Sequence, residues 1–331
     1  MKLQNWKATK NQLFFNRNDE EDFRWGGFAR SFPLIPDLNI NSKNDNLNKT
    51  QIGIWGYADD EGIFLNSGRI GSQMAPETIR RFFYKMTPPL ITNEQYLISD
   101  YGDWTKGQNL ESQIKHISPL LSQKLSSHPM ITLGGGHDYG AVDGAGFMQW
   151  HLQNTQSSQI KPLIINFDAH LDVRPWQKGL NSGTPFSWLL DHFPNQFEFL
   201  EVGIQKHCSS PMHHQWLQNK KVPILDLDFI RKVGIISALR QILAGTPVNQ
   251  SCYISLDIDV FSQSSAPGCS QSWEAGLNFE EMEAALSWLL INKNVRLLGI
   301  YEVSPPLDFD HKTSKLAACM MDTYIKNCWT K

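Results

Sequence analysis

Three ionisable residues at alternate positions, Asp168, His170 and Asp172, close the apolar run "PLIINF" within the segment "NFDAHLDVRP" (166–175). Carboxylate, imidazole and carboxylate at this spacing could ligate a metal, work as an acid–base set, or form a polar loop that ends a strand. Taken alone, the segment leaves all three readings open. Three other apolar runs also end in polar groups: "MITLGGGHD" in His137 and Asp138, "YISLDIDV" in Asp257 and Asp259, and "LGIYEVSPP" in Glu302. Residues i, i+2 and i+4 of an extended segment project to one side. Asp168, His170 and Asp172 are therefore expected to converge, as are Asp257 and Asp259. Their neighbours Phe167, Ala169, Leu171, Leu256 and Ile258 are expected to face apolar packing.

Carboxylates brought this close repel one another, and some stay protonated unless a cation joins them. Four aspartates carry four negative charges, which two divalent cations balance. The six groups, His137, Asp168, His170, Asp172, Asp257 and Asp259, suit a binuclear site. Oxygen-rich ligation with one or two imidazoles favours Mn2+ over thiolate-loving zinc. Two such ions can activate a shared water at neutral pH. Each element by itself has a plainer reading, since D-x-D is common and the glycines of "GGGHD" could serve a turn needing positive φ. A phosphate loop is excluded, because no Lys-Ser/Thr follows these glycines and G-x-G-x-x-G is absent.

Something must carry these polar ends to one place. From residue 51 apolar runs alternate with helical patterns, beginning with "QIGIWGY", "PETIRRFFYKM" and "QYLISDYG" and ending with "VRLLGIYEVS" and "TSKLAACMMDTYIKN". A helix over "NLESQIKHISPLLSQKL" is expected to be interrupted near Pro119, and "VPILDLD" reads as a strand. About eight strands are expected, as near-continuous apolar runs of the kind covered on both faces. That pattern predicts one mainly parallel sheet with helices on both sides, whose ligands bind beyond the carboxyl ends of the strands. Residues 1–50, with "NRNDEED" and "NINSKNDNLNKT" around "FRWGGFA", read as an irregular N-terminal arm, and 51–331 as a single α/β domain.

A hydrophobic content of 41% allows a sizeable core, and a net charge of −3 provides no basic excess for nucleic acid or an anionic membrane surface. No run reaches the roughly 18–20 apolar residues of a membrane span, and "MKLQNWKATK" lacks the apolar region of a secretory signal. Five cysteines (208, 252, 269, 319 and 328) are an odd number without a C-x-x-C pair. They read as buried thiols of a reducing compartment, so a cytoplasmic location is expected.

"GGGHD", "NFDAHLDVR", "SLDIDVFSQSSAPG" and "YEVSPP" resemble, in order and separation, the signature segments of the ureohydrolase family, which includes arginase, agmatinase and formimidoylglutamase. "DDEGIFLNSGRIGSQMAPETIR" resembles the family's early loop and first helix, and the likeness extends over roughly residues 51–326. It implies a three-layer α/β/α sandwich with an eight-stranded, mainly parallel sheet and two Mn2+ per chain. Carried over, His137 and Asp172 would bind one ion, and His170 and Asp259 the other. Asp168 and Asp257 would bridge, and Glu302 would pair with the cationic amidine or guanidinium group of a small-molecule substrate. Family members often form trimers or hexamers, though this chain itself carries no direct sign of a homo-oligomer.

Arginases and agmatinases carry His-Gly-x-Pro in the next loop; here "NSGTPFSWLL" has Ser182 in place of that histidine. Ser-Gly-Thr-Pro-Phe and "DVR" resemble the formimidoylglutamase branch instead. Arg174 could clamp a substrate carboxylate, with Ser182 and Thr184 as further contacts, although all three also read as ordinary surface or turn residues. The loop 261–276 lacks the family's usual Asp-Pro, and Cys269 and Trp273 could remodel the pocket wall; Trp55 and Trp176 could line it too. His207, His213 and His214 read as residues of a polar helix or loop rather than as a second metal site. The implied reaction is hydrolysis of N-formimidoyl-L-glutamate to L-glutamate and formamide, with Asp172 passing a proton to the leaving amine. Two alternatives stand beside it: an amidinohydrolase on a guanidino substrate, releasing urea, and a degenerate member acting as a binding protein.

Overall fold

In the computed structural model, residues 5–17, 19, 21–33, 50–89, 96–105, 109–154 and 160–329 are described. Most of "NINSKNDNLNKT" lies outside them. The strands are β1 (Trp6–Lys7), β2 (Ala29–Ser31), β3 (Thr50–Ala58), β4 (Tyr96–Thr105), β5 (Met130–Leu133), β6 (Leu163–Phe167), β7 (Glu198–Ile204), β8 (Ile224–Asp226), β9 (Ser251–Asp257) and β10 (Asn294–Tyr301). They form one sheet in the order β1-β4-β3-β5-β10-β9-β6-β7-β8, with β2 paired to β4. Every pairing is parallel except β1 with β4. The eight strands from β3 to β10 are thus the expected parallel sheet.

The central strands are apolar on both sides because both sides are covered. Every residue of β5, β6 and β9 is buried. Ile165, Phe167, Ile254 and Leu256 join one core, and Ile164, Tyr253, Leu297 and Tyr301 the other. The helix Tyr139–Asn154 is buried nearly all round, as expected where apolar residues occupy every face.

Three local expectations need correction. The helix Leu110–Ser127 runs unbroken through Pro119. Proline removes one backbone hydrogen bond, but Pro119 and Lys115, whose carbonyl loses its partner, are both exposed, where solvent can satisfy that carbonyl. Only Ile224–Asp226 of "VPILDLD" is strand; the Asp226 side chain accepts the Phe229 N–H and caps a helix over Leu227–Val233. The stretch before residue 50 also adds two short edge strands to the sheet.

A buried ion pair helps pin that stretch. Arg80 is fully buried, with Nε 2.8 Å and Nη2 3.1 Å from the two oxygens of Asp100 and Nη1 2.5 Å from Asp103. Asp100 also accepts the hydroxyl of Thr9, at 2.7 Å. Arg80→Ala should lower unfolding stability by about 3–5 kcal/mol in a urea titration, because it strands a buried carboxylate. An unchanged midpoint would contradict this account.

Candidate metal centre

Strands β5, β10, β9 and β6 are adjacent and parallel, so their carboxyl ends open at one edge of the sheet, and each delivers part of the site. His137 follows β5 by a glycine turn, Glu302 follows β10 directly, Asp257 ends β9, and Asp168 follows β6. Nδ1 of His137 lies 3.2 Å from Asp168 Oδ2, 2.9 Å from Asp172 Oδ2 and 3.1 Å from Asp257 Oδ2. Nδ1 of His170 lies 3.3 Å from Asp168 Oδ1 and 3.0 Å from Asp259 Oδ2. The six expected residues therefore form two clusters, each with ligand atoms within 4.8 Å of one another, and Asp168 belongs to both.

The convergence does not come from a strand pleat. His170 N–H donates to Asp168 Oδ1 at 2.6 Å and Asp259 N–H to Asp257 Oδ1 at 2.9 Å, so each carboxylate turns the chain after its own strand. Asp172 and Glu302 have φ of 47° and 65°, a left-handed conformation that costs a non-glycine residue free energy and collects at functional sites. The interleaved residues Phe167, Ala169, Leu171, Leu256 and Ile258 are buried as expected. Asp257 shows one oxygen to His137 and gives the other to the Asp259 amide, whereas Asp168 offers one oxygen to each imidazole.

The His137 ring is fixed by Ser255 and Tyr301, which sit in the quoted segments but were not singled out for a role. Its Nε2 meets Ser255 Oγ at 2.8 Å, and the ring stacks on Tyr301 with centroids 4.9 Å apart. The Glu302 carboxylate accepts the backbone N–H of His137 at 2.9 Å. Nδ1 of His137 is buried and makes no hydrogen bond of ordinary geometry, although three carboxylate oxygens surround it. One N–H cannot serve three acceptors; a divalent cation among them can. Two imidazoles, four carboxylates and no thiolate fit manganese.

The electrostatics agree. Burial first, then neighbouring carboxylates, push Asp172 and Asp257 above the usual range; burial chiefly takes Asp259 up to about 6. Burial likewise pushes Glu302 up to about 8, against the pull of the His137 N–H. Burial disfavours charge on Asp168 as well, but the two imidazoles outweigh it and hold its carboxyl low. The same carboxylates overcome burial at His137 and His170 and raise both. Without cations the cluster holds protons, which metal binding displaces.

Beside the clusters lies a cavity of about 260 Å³ lined by His170, Asp172, Asp257, Asp259 and Glu302 together with Arg174, Ser182, Asn66, His207 and Trp273. Arg174 and Ser182 thus both line the cavity, and Ser182 accepts from Asn66 Nδ2 at 3.1 Å. Thr184 does not line the cavity: its hydroxyl exchanges hydrogen bonds with the backbone of Asn181 ahead of the helix Pro185–His192. Trp55 is buried in β3 and Trp176 packs on His192, so neither reaches the cavity, whereas Trp273 does, edge-on to His207. Cys269 is buried behind the wall. His213 and His214 lie on the helix Pro211–Asn219, and among the described residues they join no metal cluster. Gly68, Cys208, Ser270 and Gln271 line the cavity too, from the early loop, the segment after β7 and the loop 261–276, and the sequence singled out none of them as a cavity contact.

A model of the arginase family matches residues 50–326. A formimidoylglutamase from Clostridium tetani is 30% identical, with 97% of this chain and 96% of that protein covered. Among solved structures, the formimidoylglutamase of Bacillus subtilis superposes with a TM-score of 0.78 at 24% identity, covering 95% of this chain and 94% of the other. The Trypanosoma cruzi formiminoglutamase with Mn2+ superposes with a TM-score of 0.76 at 24% identity, covering 92% and 98%. The family match spans the parallel strands β3 to β10 and the strand-end cluster, and the chain belongs to the arginase family.

Proposed function

We propose that this chain is a manganese-dependent hydrolase of linear amidines that converts N-formimidoyl-L-glutamate and water to L-glutamate and formamide. The observation that carries the reading is Arg174 lining the same cavity as the aspartate–histidine clusters and Glu302. A cationic amidine group at one end of the substrate and carboxylates at the other match that arrangement. The curated relative's name supports it, as does Ser182 where arginases and agmatinases have histidine.

His137, Asp172, Asp257 and Asp168 would hold one Mn2+, and Asp168, His170 and Asp259 the other, so of the two bridging residues that the resemblance implies, only Asp168 belongs to both clusters. When bound, the ions supply Lewis acidity and a water activated for attack at neutral pH. Glu302 would pair with the amidinium and hold its carbon in place, and Arg174 would take a substrate carboxylate as a bidentate fork. Asp172 would move the proton released by the attacking water to the leaving nitrogen of glutamate, and the C–N bond then breaks to free formamide. Residues 51–331 would form one catalytic unit, with residues 1–50 as its arm. Among the described residues no helix is long and apolar enough to cross a membrane. All five cysteines are free thiols, which supports a cytoplasmic location.

A panel of N-formimidoyl-L-glutamate, 4-guanidinobutyrate, agmatine and L-arginine, run with added Mn2+ and scored separately for formamide, urea and ammonia, tests this. Formamide from the first substrate alone is the expected result. Urea from a guanidino substrate would favour the amidinohydrolase alternative, and no product from any would favour a binding role.

A further inference from the structure

Below the cluster, three polar residues interrupt the apolar strands at one level. Asn166 on β6 is in register with Glu201 on β7 and with Ser255 on β9. Directly paired residues share a face of the sheet, so the three side chains form a row, and all three are fully buried. The Asn166 amide donates to Glu201 Oε2 at 2.9 Å and to Asp168 Oδ2 at 3.3 Å. Ser255 meets His137 at the other end of the row. Glu201 Oε1 has no protein partner. Burial, and then the charge of Asp168, push the Glu201 carboxyl well above the ordinary glutamate range. A buried carboxyl so close to a cluster of aspartates is costly unless hydrogen bonds or neutralisation offset it, and the Asn166 amide supplies one such bond.

We infer that Glu201 is a positioning residue for the two-ion centre: through the Asn166 amide it fixes the carboxylate plane of Asp168, so that one oxygen faces each histidine. This inference rests on the proposal that Asp168 bridges two Mn2+. Asp168 alone serves both clusters, so a rotation of its carboxylate disturbs both at once. The amide of Asn166 would rotate freely without the Glu201 oxygen that accepts its second N–H. An uncharged glutamic acid and a glutamine offer the same carbonyl acceptor to Asn166, so Gln is the conservative replacement and an apolar side chain is the disabling one.

The test titrates Mn2+ into metal-free wild type, Glu201→Gln and Glu201→Leu, reading free Mn2+ by its paramagnetic resonance signal, with thermal unfolding of each metal-free protein in parallel. Leu keeps most of the volume, and Asn166→Ala probes the same link if Glu201→Leu does not fold. The expected result is Mn2+ affinity weakened about 10–100-fold in Glu201→Leu, recovery to near wild type in Glu201→Gln, and little change in the unfolding of the metal-free protein. A merely structural role would lower the unfolding temperature and leave affinity intact. That outcome, or equal losses in Gln and Leu, would overturn the inference. Wild type that binds no Mn2+ would instead overturn the metal proposal beneath it.

Discussion

Asp168→Ala should cut turnover by at least about a thousandfold and strip bound manganese at the same time. Asp168 is the residue common to both clusters, with Oδ2 3.2 Å from the His137 nitrogen and Oδ1 3.3 Å from that of His170. Without it, each cluster loses a carboxylate and nothing links the two. A catalytic metal contributes several kcal/mol of transition-state stabilisation, and roughly 1.4 kcal/mol is a factor of ten in rate, so losing one productive ion accounts for a loss of this size. The check is kcat together with manganese per chain on one preparation. Metal content that falls while kcat holds would separate the clusters from catalysis and sink the mechanism. Asp257→Ala should behave in the same direction, since Asp257 Oδ2 lies 3.1 Å from the same histidine nitrogen.

Arg174→Leu should act on the substrate and not on the metal. Arg174 is exposed, lines the cavity, and makes no ion pair among the described residues. Gly183 is what brings it close: a Cβ there would sit 2.7 Å from Arg174 Cδ and 2.9 Å from Nε. A hydrogen bond to a charged group contributes about 1.5–3 kcal/mol, so kcat/KM for N-formimidoyl-L-glutamate should fall roughly 10- to 150-fold at about 1.4 kcal/mol per tenfold. The change should fall mainly on KM, because a remote carboxylate is held alike in ground and transition states. Arg174→Lys should recover only part of the loss, since an ammonium cannot form the bidentate fork. Steady-state kinetics with and without the variant, at full manganese loading, decide it. A KM within twofold of wild type, or a drop in metal content, would contradict the assigned role.

These two residues mark where the sequence could be read and where it could not. The six clustered residues were legible because each lies at, or within five residues of, the end of an apolar strand, and the parallel sheet brings those ends to one edge. How the ligands converge was not legible. Asp168 and Asp257 turn the chain by accepting amides two residues on, and Asp172 adopts a left-handed backbone. Alternation in sequence mimics a strand pleat that is absent there. The cavity wall was only partly legible, since Asn66, His207 and Gln271 arrive from separate loops whose meeting depends on the whole fold. Thr184 read either as a substrate contact or as a turn residue, and its hydroxyl closes the turn at Asn181.

The fold shows the same division. Long runs such as "PLIINF" and "VRLLGIY" read correctly because burial on both faces leaves an unbroken apolar signal. β1 and β2, at two and three residues, are too short to carry a period. Tertiary partners around Asp100, including Arg80 and Thr9, help hold that edge of the sheet. The polar row Asn166, Glu201 and Ser255 is likewise invisible along the chain, because its members lie on three strands and meet only through register.

The central claim is that six residues from three strand ends hold two manganese ions. It is tested most directly by loading the metal-free protein with Mn2+, removing the excess, and counting ions per chain by elemental analysis. Two per chain in the wild-type protein is the predicted result, and one or none would contradict it.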